Sequence, residues 1–72
     1  MTVDAMVKQL TYKYKMGYTL KRLYDELADV LGIANSAWVF SEFVELNKAD
    51  KAFMDEFNST SFVENVIPNV VD

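Results

Sequence analysis

Cysteine and histidine are both absent from the 72 residues of this chain. Without them it has no disulfide, no zinc finger and no catalytic triad built on an imidazole base. Acidic pairs at helical spacing, such as Asp25 with Asp29, are interpreted as the solvated side of a helix rather than as metal ligands. We therefore expect no enzyme, and the sequence indicates no catalytic, metal-binding or cofactor-binding residue.

Glycine and proline are scarce, with two and one respectively, whereas apolar residues make up 51% of the chain and ten residues are aromatic. That apolar content is too high for a disordered chain. A chain of this length forms one domain at most. The sequence predicts a single domain over residues 1–72, all-α, a compact bundle of three to four helices with an extended C-terminal tail over residues 66–72.

Long uncharged runs are missing as well. The longest spans residues 30–41, whereas a helix needs about 20 apolar residues to cross a bilayer. No basic segment followed by an apolar one opens the chain as a signal sequence would. We expect a soluble, cytoplasmic protein that does not engage a membrane.

Charge is distributed unevenly. Residues 1–22 carry a net charge of +4 and residues 23–72 a net charge of −8. The candidate nucleic-acid contacts are therefore the basic residues Lys13, Lys15, Lys21 and Arg22. We favour a solvated basic face over this contact, because nucleic-acid binders usually carry a basic domain.

Four segments show helical signals. Spacing predicts a first helix from about residue 3 to residue 15, although alternation over residues 10–16 also fits a strand. Thr19 is placed to cap the second helix, Gly32 to end it, and Ile33 to fold back on Leu27.

Asn35 or Ser36 then caps a third segment, which continues to residue 57 either as one helix or with a break near residue 47. Its apolar stripe is Val39, Phe43, Leu46, Ala49, Phe53 and Phe57. Ser61 with Glu64 forms a capping box for a last short helix, which Pro68 ends.

Residues 24–43 read YDELADVLGIANSAWVFSEF, which resembles the helix-turn-helix of phage-repressor-type DNA-binding proteins. The residues that carry the resemblance are Leu27, Ala28, Leu31, Gly32, Ile33, Ser36 and Trp38. It implies that the second helix of the pair would face DNA through Ala34, Asn35, Ser36, Val39 and Phe40. No Lys or Arg occurs between Arg22 and Lys48, so the family's readout of base edges is not matched.

The third helix is apolar on more than one side, which a 72-residue core cannot readily hide. Either it is the central helix, wrapped by the others, or part of it is an interface. We interpret Trp38, Phe40 and Val44 as apolar interface anchors, with Glu42 and Glu45 on the rim.

The leading hypothesis is a small non-catalytic protein-binding module that self-associates as a homo-oligomer and occupies a surface of a larger partner protein, as inhibitors and adaptors encoded by phages do. One alternative is a helix-turn-helix transcription regulator that binds DNA. A second alternative is a small structural subunit of a larger assembly.

Overall fold

A computed structural model describes residues 2–60, and four helices follow one another along this part of the chain: α1 (Val3–Lys15), α2 (Leu20–Leu31), α3 (Ile33–Asn47) and α4 (Lys51–Asn58). The predicted all-α bundle of three to four helices is confirmed. The predicted capping box at Ser61 and Glu64, the stop at Pro68 and the extended tail over residues 66–72 lie outside the described residues.

The first segment is helical, and the strand alternative for residues 10–16 is wrong. The side chain of Thr2 accepts a hydrogen bond from the Ala5 amide at 3.1 Å and so caps α1. Val7 and Leu10 fall on one side of this helix, where they are buried. Helical periodicity therefore prevails over alternation, because it gives the apolar residues a common buried side.

Helix α2 begins as predicted, with the Thr19 hydroxyl accepting from the Arg22 amide at 3.2 Å. Gly32 ends it at φ 82° and ψ 166° and also begins α3. This backbone conformation is nearly exclusive to glycine. Because the chain enters α3 directly, the predicted cap at Asn35 or Ser36 and the contact of Ile33 with Leu27 are both wrong. Ser36 lies inside α3, where its hydroxyl donates to the Ile33 carbonyl, and Ile33 is exposed.

The segment after Gly32 contains two helices rather than one. Helix α3 ends at Asn47, and the Asp50 carboxylate caps α4 by accepting from the Phe53 amide at 3.2 Å. The predicted stripe through Leu46 and Ala49 is therefore interrupted, and both residues are exposed. Because α4 has its own axis, residues of α3 and α4 that follow one helical spacing in the sequence do not lie on one common face.

The core is built largely from aromatic rings. Five of them contact one another edge to face, with ring centroids between 5.3 and 6.4 Å apart, a geometry that aromatic pairs favour. They are Tyr14, Tyr24, Phe40, Phe43 and Phe53. Helix α3 packs more extensively against α1 and α2 than those two helices pack against each other, so it lies at the centre of the three.

Candidate protein-interaction surface

The solvent-exposed side of α3 presents a tryptophan among acidic side chains. Trp38, Glu42, Glu45 and Leu46 are all exposed, and their spacing of four, three and one residues places them on one side of a helix with 3.6 residues per turn. The side chains between them, at positions 39, 40, 43 and 44, are buried. We call the four exposed residues the Trp38 face.

Two large apolar side chains give this face an affinity for other apolar surfaces. Trp38 is 59% exposed and Leu46 is 74% exposed. Removing about 100 Å² of apolar surface from water has a transfer free energy of roughly 2.5 kcal/mol, which is offset in part by the entropy lost on association. Tryptophan is also among the residues that most often dominate the binding energy of protein interfaces.

The acidic residues of the face have different environments. Glu45 forms a surface ion pair with Lys48, which is a weak interaction in solvent. Glu42 forms no ion pair with any residue between positions 2 and 60. The face is therefore acidic and complements a basic or neutral partner surface.

Two of the predicted anchors require correction. Phe40 is fully buried, with its ring 5.3 Å from that of Tyr24 and 5.5 Å from that of Phe43. Val44 is buried in the same core. Neither side chain can contact a partner in this fold, because α1 and α2 pack on the side of α3 that carries them. Of the predicted anchors, only Trp38 lies on the surface, where Glu42 and Glu45 flank it.

Leu46 belongs to the predicted apolar stripe of the third segment, but in the structure it extends the exposed apolar surface. A signal for this was present in the sequence. Leu46 follows Trp38 by eight residues and Glu42 by four, which places all three on one side of α3. The stripe that continues to residues 53 and 57 groups Leu46 with the core only if the helix axis is continuous, and α3 ends at Asn47.

The predicted nucleic-acid contacts do not form one free basic patch. Lys13 lies 3.3 Å and Arg22 3.2 Å from carboxylate oxygens of Glu26, and Lys21 lies 3.1 Å from a carboxylate oxygen of Asp25. Lys15 alone of the four predicted contacts has no ion pair within residues 2–60. Neighbouring acids thus offset three of the four charges, which weakens the field available to attract phosphates.

The residues that resemble a helix-turn-helix lie in α2, in α3 and at Gly32, the single residue between them. Three of the positions expected to face DNA, namely Ser36, Val39 and Phe40, are buried, so this expectation is corrected. The exposed side of α3 carries Glu42 and Glu45 instead. Carboxylates at this position would repel the phosphate backbone.

A groove lies between α1 and α2. This groove has a volume of about 260 Å³, and its lining is mostly apolar, with Lys13 and Glu26 beside it. The apolar lining comprises Met6, Leu10, Leu23, Leu27, Val30 and Leu31. The helical spacing of Leu23, Leu27, Val30 and Leu31 predicts an apolar side of α2, but the groove itself depends on how α1 and α2 pack.

The hydroxyl groups near these surfaces have structural partners. The Ser41 hydroxyl donates to the Ala37 carbonyl at 2.6 Å, and the Thr11 hydroxyl donates to the Val7 carbonyl at 3.0 Å. Burial raises the pKa of Tyr14, and the nearby carboxylates of Glu56 and Asp50 raise it further.

Among residues 2–60, no three carboxylates converge to hold a metal ion, and no helix is long and apolar enough to span a bilayer.

Comparison with protein-family models, with curated proteins and with solved structures found no match to this chain.

Proposed function

We propose that the protein is a non-catalytic protein-binding module, and that the Trp38 face is the surface by which it occupies a larger partner as an inhibitor or adaptor. The observation that carries the proposal is the exposure of Trp38 in the middle of a regular, well-packed helix. A monomer gains nothing by leaving this ring in water, whereas a partner that covers it gains apolar burial.

The position of α3 in the bundle supports this role. Its buried side packs against both α1 and α2, so the helix is held in place by the core. Side chains on the opposite side are thereby presented on a rigid support. Such preorganisation lowers the entropic cost of binding, because less of the surface must be ordered when the partner arrives.

The chemistry of the face favours a protein surface over nucleic acid as its target. It combines two apolar side chains with Glu42 and Glu45 and contains no basic residue. Phosphates would be repelled, whereas a protein patch with an apolar pocket and peripheral Lys or Arg would complement it. The carboxylates would then contribute to orientation and association rate, and Trp38 to affinity.

The test is affinity capture with the full chain from a lysate of its source, with and without nuclease. We expect a protein captured at fixed stoichiometry that survives nuclease treatment. With that protein purified, Trp38→Ala should raise the Kd at least tenfold, as truncation of an interface anchor does. Circular dichroism should show unchanged helicity, because Trp38 is outside the core.

Tyr12→Ala provides the matched control. Tyr12 is another exposed aromatic residue, at 66% exposure, but it lies on α1. Its loss should leave the Kd for the larger partner within about twofold of that of the original chain. Equal effects of the two substitutions would contradict the proposal. Captured nucleic acid that is released by salt would favour the DNA-binding alternative, and recovery of the chain alone would favour a structural subunit.

A further inference from the structure

The exposed side of α1 matches the Trp38 face in spacing and opposes it in charge. Lys8, Tyr12, Lys15 and Met16 are all exposed, Tyr12 at 66% and Met16 at 62%. They follow one another at intervals of four, three and one residues, as the members of the Trp38 face do. Each set therefore places two large apolar side chains and two like charges along about 12 Å of helix. We call this set, which ends at the C-cap residue of α1, the Tyr12 face.

The charges on the Tyr12 face are available to a partner. Neither Lys8 nor Lys15 forms an ion pair with any residue in the described range 2–60. On the Trp38 face, Glu42 is likewise unpaired there, and the pair of Glu45 with Lys48 is exposed. The two lysines are seven residues apart and the two glutamates three, about 10.5 Å and 4.5 Å along a helix axis. The opposite charges therefore attract the two faces as wholes rather than as two matched pairs, at little cost in broken ion pairs.

The two faces of one molecule cannot cover each other. Helices α1 and α3 pack together through their buried sides, which carry Val7 and Leu10 on one helix and Phe43 on the other. Their exposed sides consequently point away from the shared contact. A complementary pair of outward-pointing surfaces on one chain is the arrangement that joins identical copies head to tail.

We infer that the chain associates with a second copy of itself, the Tyr12 face of one molecule packing on the Trp38 face of the next. This inference rests on the proposed function, since it identifies a second copy as one occupant of the same face. The contact is heterologous, so an open chain of copies keeps one free Tyr12 face at one end and one free Trp38 face at the other. It therefore builds open chains or closed rings rather than stopping at a symmetric dimer.

The association is weak and sensitive to salt. Each face is one side of a single helix and buries far less than the roughly 800 Å² per partner of a standard stable interface. Its charges lie at the surface, where the screening length falls from about 10 Å at 0.1 M salt to about 3 Å at 1 M. We expect a Kd in the micromolar to millimolar range that rises with ionic strength.

Charge reversal followed by mixing tests the inference directly. The variant K8E/K15E has two acidic faces, and E42K/E45K has two basic ones, so each alone should be monomeric in sedimentation equilibrium, with a Kd at least tenfold above that of the original chain. Mixed in equal amounts, they should associate again. The acidic Tyr12 face of K8E/K15E then meets the basic Trp38 face of E42K/E45K. The unchanged Trp38 face of K8E/K15E and the unchanged Tyr12 face of E42K/E45K pair as they do in the original chain.

A control separates these effects from overall charge. The variant K21E/K51E has the same net charge as K8E/K15E, but its two exposed lysines lie outside both faces. It should associate as the original chain does at moderate salt. Loss of association in this control equal to the loss in K8E/K15E would overturn the inference, because net charge would then account for both.

Two further results would overturn it: an original chain that stays monomeric up to millimolar concentration at low salt, or variants that fail to associate on mixing. Capture of a larger protein that depends on Trp38 and is unaffected by K8E/K15E would leave the proposed function standing in either case. Absence of self-association together with Trp38-dependent capture would therefore refute the inference about a second copy and not the proposed function.

Discussion

The carboxylate of Glu56 accepts a hydrogen bond from the backbone amide of Leu20 at 2.7 Å. Glu56 lies on α4 and Leu20 is the first residue of α2, so the contact joins two helices through residues that are 36 positions apart in the chain. It places a negative charge at the N-terminus of α2, where the free amides and the helix dipole favour one.

Replacing Glu56 should therefore loosen α4. We expect Glu56→Ala to lower the free energy of unfolding by about 1–2 kcal/mol, because it leaves a partly buried amide without its charged acceptor. Urea unfolding followed by circular dichroism measures this difference. Asp55→Ala is the control on the same helix, since it breaks only the exposed pair with Lys51 and should cost less than about 0.5 kcal/mol. Equal losses would show that the hydrogen bond from Leu20 to Glu56 contributes no more than an exposed ion pair.

Substitution by Asp should unfold the protein at Phe40 and leave its stability almost unchanged at Trp38. Phe40→Asp places an unpaired carboxylate in the core, at a cost that exceeds the roughly 3–5 kcal/mol available to a domain of this size. We expect loss of the far-ultraviolet helical signal. Trp38→Asp should change the unfolding free energy by no more than about 0.5 kcal/mol, as is typical of an exposed position. A folded Phe40→Asp protein would refute the packing of α3.

Gly32 should resist substitution for a backbone reason alone. A Cβ atom built at this position meets no atom within 4 Å, so steric crowding is absent. The positive φ angle nevertheless strains any L-residue, and Gly32→Ala should cost about 1–3 kcal/mol. Chemical synthesis with D-alanine at position 32 tests the cause, because a D-residue accepts a positive φ. Stability should then recover, and equal losses with both alanines would contradict the argument.

Tyr14 should make stability fall at alkaline pH. Desolvation by burial, reinforced by Glu56 and Asp50, raises its pKa above the ordinary value. In the unfolded chain Tyr14 loses its proton near pH 10, whereas the folded protein retains it to higher pH. The stabilisation is therefore complete below pH 10 and is lost as pH rises through the folded pKa.

Unfolding free energies measured from about pH 9 to pH 11 should fall more steeply for the original chain than for Tyr14→Phe, which has no phenol to titrate at this position. The near-ultraviolet absorbance of tyrosinate gives a second readout, in which the difference between the two proteins reports Tyr14 directly. Parallel stability curves would show that the phenol has the same pKa in both states.

The start and end of α2 were predictable because their signals are local. Thr19 accepts from an amide three residues away, and Gly32 adopts a conformation that few other residues tolerate. The choice between a cap at Ser36 and a direct entry into α3 was not predictable. It depends on the value of ψ at Gly32, which the packing of the two flanking helices selects.

The chain's own sequence determined that it is helical, where α1 and α2 begin, and that its first 22 residues are basic and the remainder acidic, since each of these depends on neighbouring residues or on composition. Tertiary structure decided which apolar residues of α3 are hidden. Phe40 and Trp38 are two residues apart and both aromatic, yet they lie on opposite sides of a helix that turns about 100° per residue. Because α1 and α2 pack on one of those sides, Phe40 became core and Trp38 remained in solvent, and burial by distant helices cannot be read from local pattern alone.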